Sequence, residues 1–196
     1  MLTFSVCGIR CRVSLLFPAL ITALLICQQD IIIVVCFVAS VAHEMGHLLA
    51  MLIFRVPPKE CVLGLFGMRI GLVNHLRSYR RNLWIALAGP ITNILSSGLL
   101  LLFSMPEAAA VHWWLAVLNL LPVTVLDGGE ILRCILMECG KETDSILRCT
   151  SAFTIFLILL LGFWIALYRC GGLTLLIVGI YLAVMVFFLD KNEKNS

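Results

Sequence analysis

His43, Glu44 and His47 fall within five residues of one another in the stretch VAHEMGHLLAML, residues 41–52. On a helix, residues four apart share a face, so the two imidazoles stand side by side. Glu44 lies at the edge of that face, placed to reach an activated water rather than to take a ligand position. Two histidines that bind zinc and a glutamate that acts as general base make up the HExxH pattern. The pattern is short, and two plainer readings share it: a buried hydrogen-bonded cluster, or the wall of a transport path. The apolar setting favours function, because ionisable groups in lipid are expensive to keep.

A catalytic zinc takes three protein ligands and keeps one position open for water. The candidate for the third is Asp127, in NLLPVTVLDGGE, residues 119–130. Pro122 interrupts the helical run before it, and Gly128 and Gly129 free the backbone after it. An irregular backbone at membrane depth suggests a cavity. A helix-end aspartate facing water is the plain alternative.

The elements that must carry these residues are membrane spans. The chain has 196 residues, 62% hydrophobic and 13% charged. Soluble domains run nearer 45–50% and 25%. The fold class expected is therefore all-α and polytopic, in one domain over residues 1–196. Apolar runs at about 13–27, 31–54, 83–103, 108–125, 149–168 and 171–189 predict six transmembrane helices, the first retained rather than removed as a signal. With both termini cytoplasmic, Arg169 alone of the 14 Lys and Arg residues faces outward, which sets the orientation. Spans two and four then both run inward, and the histidines and Asp127 share a depth on the cytoplasmic side. His112, Trp113 and Trp114 lie close to the outer face and read as an interfacial anchor.

The longest cytoplasmic segment, about 55–82, contains CVLGLFGMRIGLV. It is too short to span, and its glycines, Gly67 among them, predict a short re-entrant hairpin near 61–73. Such a strand edge could receive an unwound peptide by β-addition. The net charge of +3 comes without a basic tract, so no nucleic-acid partner is expected. Nine cysteines form no CxxC and read as reduced, small apolar residues. Cys36 is about 10 Å along the helix from His43, too far to ligate with it.

VAHEMGHLLA at 41–50, AGPITN at 88–93 and NLLPVTVLDGG at 119–129 together resemble the site-2 protease family of intramembrane zinc metalloproteases. The compact layout, with no PDZ insertion, looks most like the sporulation-type branch, which includes the protease that activates a membrane-associated pro-sigma factor. The resemblance implies one zinc ion held by His43, His47 and Asp127, with Glu44 activating the water. Asn93 and Asn119 match asparagines of the family motifs. Each is an amide able to bond substrate backbone or steady a ligand, or else a helix–helix contact. Gly67 and Pro122 join them as candidate substrate-binding or supporting positions.

Two departures stand out. Thr124 and Val125 lie between Pro122 and Leu126, where the family usually has a proline close before the aspartate. The chain ends at Ser196, so regulation through a C-terminal CBS domain is not expected.

The function expected is hydrolysis of a peptide bond in or next to the transmembrane segment of a membrane-tethered protein, such as a regulatory pro-protein. The partners expected are a membrane protein substrate, the lipid bilayer and a membrane-embedded inhibitor or regulator. The alternative is a catalytically silent homologue that binds or scaffolds membrane proteins. An ion transporter would need polar residues through the full membrane depth, and the outer halves of the spans offer few.

Overall fold

The computed structural model describes residues 2–6, 9–13, 31–56, 58–64, 67–72, 78–168 and 172–193. The contacts divide the chain into two compact units, Met1–Ala116 and Val117–Ser196. The expected first span, 13–27, falls outside the described residues except for Val13, which closes a strand.

The first unit contains a four-stranded sheet in the order β1-β2-β3-β4. Its strands are β1 (Leu2–Val6), β2 (Ile9–Val13), β3 (Pro58–Gly64) and β4 (Gly67–Leu72). β3 and β4 form the hairpin expected near 61–73. They pair antiparallel, from Pro58↔Leu72 at the open end to Gly64↔Gly67 at the turn. β1 and β2 were not expected: five residues each is too short a pattern to stand out from the apolar run that follows. β2 pairs parallel to β3. β4 is therefore an edge strand.

Helices α1 (Ile31–Ile53) and α2 (Tyr79–Leu102) pack through Ala50, Met51 and Ile85, with Phe54, Val56 and Ala88 against them. Their outer faces are apolar as well, with Leu52 75% and Leu102 83% exposed. A helix that is apolar all round belongs in a core or in lipid. Pro90 sits in the middle of α2 and removes one amide from the helical ladder. Helix α3 (Pro106–Asn119) is tied to α2 by Ser97 Oγ, which donates to the Ala109 carbonyl at 2.8 Å.

The second unit holds α4 (Asp127–Glu138), α5 (Asp144–Tyr168) and α6 (Gly172–Glu193). Val123, Ile155 and Leu182 form its buried core. Among the described residues, α1, α2 and α5 are long and apolar enough to cross a membrane, and α6 contributes a shorter apolar stretch, Leu175–Phe187. The architecture is that of a polytopic, helical membrane protein.

The fourth run, 108–125, differs from a plain span. Helix α3 ends at Asn119, and the chain turns irregularly through Pro122 before α4 begins at Asp127. Pro122 supplies no amide, and the local bonds are turn-like: Val123 N to Leu121 O at 2.7 Å, Leu126 N to Val123 O at 2.9 Å. Thr124 N is taken up by Ser151 Oγ of α5 at 3.0 Å. These bonds satisfy a non-helical backbone, as burial in an apolar medium requires. Gly128 makes the turn compact: a Cβ there would stand 2.3 Å from the carbonyl oxygens of Leu120 and Leu121.

Candidate metal centre

Helix α1 presents His43 and His47 one turn apart on its buried face, 5% and 8% exposed. Their rings meet edge to face, 81° apart in plane. The two Nε2 atoms lie 3.1 Å from each other. His47 Nδ1–H donates to the Ile85 carbonyl of α2 at 2.7 Å. That bond puts the ring proton on Nδ1, so Nε2 carries the lone pair that a metal would take.

Asn93 of α2 lies behind His43, fully buried, with its Nδ2 3.2 Å from His43 Nδ1. Its Oδ1 lies 3.1 Å from His112 Nδ1 on α3. Gly89, also on α2, lets the helix pass directly under the rings. A Cβ at this position would fall 2.4 Å from His47 Nε2 and 2.7 Å from His43 Nε2. Only a hydrogen fits there.

The first unit thus brings together His43, His47, Gly89, Asn93 and His112. Glu44 follows His43 on α1 and is half-buried. Gly67 opens β4, in the sheet. In the second unit Asp127 is the first residue of α4, with Leu126 as its N-cap. A carboxylate at a helix N-terminus is favoured by the helix dipole. Asn119, the last residue of α3, and Pro122 are half-buried.

Sequence reasoning missed Gly89 and His112. Gly89 was in view inside AGPITN, but its use depends on which helix crosses which. His112 was assigned to the interface because Trp113 and Trp114 follow it. The tryptophans are indeed exposed, but His112 turns inward and is only 4% exposed.

Among the described residues no cysteine stands with the histidine pair. Cys36, Cys134, Cys139 and Cys149 are free. The buried Cys134 has its thiol pushed up to about 12, by desolvation first and then by the charge of Glu130 beside it.

No protein-family model matches the chain. Two curated proteins are similar to it. "Putative zinc metalloprotease sll0528" of Synechocystis is 29% identical over 194 residues, covering 90% of this chain and 47% of that protein. "Putative zinc metalloprotease Rip3" of Mycobacterium tuberculosis is 27% identical over 166 residues, covering 76% and 41%. The chain spans about half the length of these relatives or less. Among solved structures, the "Site-2 Protease from Methanocaldococcus jannaschii" matches at a TM-score of 0.69 and 21% identity, over 94% of this chain and 93% of that one. The chain has the fold of that site-2 protease.

The histidine pair of this site-2 protease fold suits zinc. Zinc–nitrogen bonds of about 2.0–2.1 Å in tetrahedral array put two nitrogens roughly 3.3 Å apart, close to the 3.1 Å between the Nε2 atoms. Imidazole and carboxylate donors are a zinc-type set.

Proposed function

We propose that the chain is an intramembrane zinc endopeptidase that cuts a peptide bond in or next to the transmembrane segment of a membrane-tethered protein. The observation that carries this is the pair of Nε2 atoms converging at 3.1 Å on a buried helix face, with Glu44 adjoining. His43 and His47 supply two ligands. Asp127, the remaining carboxylate of the motif set, is proposed as the third, for one zinc per chain.

Zinc in such a site makes water a competent nucleophile at neutral pH and polarises a carbonyl. Glu44 holds the proton taken from that water and delivers it to the leaving amine. His47 is oriented by the Ile85 carbonyl, and Asn93 steadies His43. Asn119 and Pro122, on the irregular stretch before Asp127, are proposed to meet substrate or to hold that stretch in shape. Residues 1–196 act as one catalytic domain in this reading, with the cleft toward the cytoplasm and both termini cytoplasmic. The resemblance to the sporulation-type branch supports a regulatory pro-protein as substrate and a membrane-embedded regulator as partner.

The direct test uses the full chain in proteoliposomes with a single-span reporter. Cleavage is expected, lost on chelation and restored by zinc. A zinc-loaded protein that cuts no reporter of a varied set would favour the scaffolding alternative.

A substrate amide must leave its helix before it can be attacked, and β4, with Gly67 at its start, is an edge strand among the described residues and could hold it extended. Successive amides of a strand point to opposite sides, so of Ile70→Pro and Gly71→Pro one removes an outward donor. That variant is expected to lose cleavage while its zinc content stays at one per chain. Unchanged cleavage in both variants would remove the edge strand from the mechanism.

A further inference from the structure

The assignment of His43 as a ligand through Nε2 has a consequence three side chains deep. An imidazole that gives its Nε2 lone pair to a metal carries its proton on Nδ1. His43 Nδ1 faces the amide of Asn93 at 3.2 Å. A ring N–H needs an acceptor there, and of the two amide ends only Oδ1 accepts. The two ends of an amide are nearly the same shape, so Asn93 can present either in its pocket. With Oδ1 turned to His43, the NH2 faces His112 Nδ1, across the gap of 3.1 Å. His112 Nδ1 must then accept, and its proton must sit on Nε2.

We propose that His112 is a positioning residue of the zinc centre. Resting on the zinc reading above, it accepts an amide proton of Asn93 at Nδ1 and so holds Asn93 Oδ1 against His43 Nδ1–H. The chain of contacts runs from α3 through α2 to α1 and lies within the first unit. Asn93 is fully buried and His112 nearly so, which makes a mismatched donor or acceptor costly and the order of bonds strict. The Ser97 to Ala109 bond fixes α3 against α2 one turn before His112. A histidine is apt at this position because its Nδ1 can accept while the ring stays neutral.

The test reads metal affinity and proton position rather than activity. Zinc affinity of the purified full chain is measured by competition with a chelator. His112→Leu leaves the Asn93 amide without an acceptor and is expected to weaken zinc by about 10–100-fold, the usual cost of losing a supporting bond. His112→Asn places an amide where Nδ1 stood, can accept, and is expected to restore affinity to within a few-fold of the parent. Nitrogen-15 spectra of histidine-labelled parent protein with zinc are expected to show His112 protonated at Nε2 and bare at Nδ1. Zinc bound as tightly by His112→Leu as by the parent, or a zinc-loaded His112 with its proton on Nδ1, would overturn the proposal and leave the zinc centre standing. A parent chain that binds no zinc would overturn both.

Discussion

Glu44→Gln is expected to keep its zinc and lose cleavage. The substitution preserves the size of the side chain and the half-buried surroundings on α1, so the histidines on either side keep their packing. What it removes is the ability to take a proton. General-base groups contribute about 100- to 10,000-fold, and the loss of turnover on a membrane-anchored reporter should fall in that range or beyond. Zinc per chain, measured on the same preparation, should equal that of the parent. The outcome also separates the two classes of function. A binding or scaffolding protein has no need of a base, so partner-dependent behaviour that survives Glu44→Gln would point to that class.

His43→Ala and Asp127→Ala are each expected to release the zinc. These residues stand 84 positions apart in the chain, and nothing in their local sequences requires them to act together. The single zinc proposed above would couple them. Loss of a supporting hydrogen bond typically costs about 10–100-fold in metal affinity, so loss of a ligand should exceed about 100-fold. Asp144, 72% exposed at the start of α5, provides the control, and Asp144→Ala should retain zinc. Zinc held undiminished by Asp127→Ala would strike Asp127 from the ligand set and direct attention to another carboxylate. Glu44 would come first, since it adjoins His43.

Much of this was legible because it is written in spacing. The four-residue step from His43 to His47 fixes a shared helix face whatever surrounds it, and the structure puts both rings on the buried side. The apolar runs at 31–54 and 83–103 became α1 and α2 with ends moved by a few residues. The glycine-studded segment became the β3–β4 hairpin. The family resemblance, read from three short motifs, agrees with both the relatives and the fold.

What escaped was whatever depends on contacts between elements. The partner of β3 on its far side is β2, some fifty residues earlier, and no local pattern announces a parallel pairing at that distance. The end of α3 at Asn119 was hidden because the residues after it, Leu120 to Leu126, are nearly all apolar and read as more of the same span. Their hydrogen bonds, closed locally and by Ser151, are what hydropathy does not record. His112 escaped for a similar reason: its neighbours in sequence are interfacial tryptophans, while its neighbour in space is Asn93.

The shortness of α3 has a consequence for the bilayer itself. Fourteen residues at 1.5 Å each make about 21 Å of helix, against roughly 30 Å of hydrocarbon in an average membrane. Lipid set beside this helix would meet a hydrophobic mismatch and thin toward it, at a cost of a fraction of a kcal/mol per Å. Thinning would draw the headgroups and their water inward toward the non-helical stretch that follows Asn119. In such a setting shorter acyl chains would relax the mismatch and longer ones would load it.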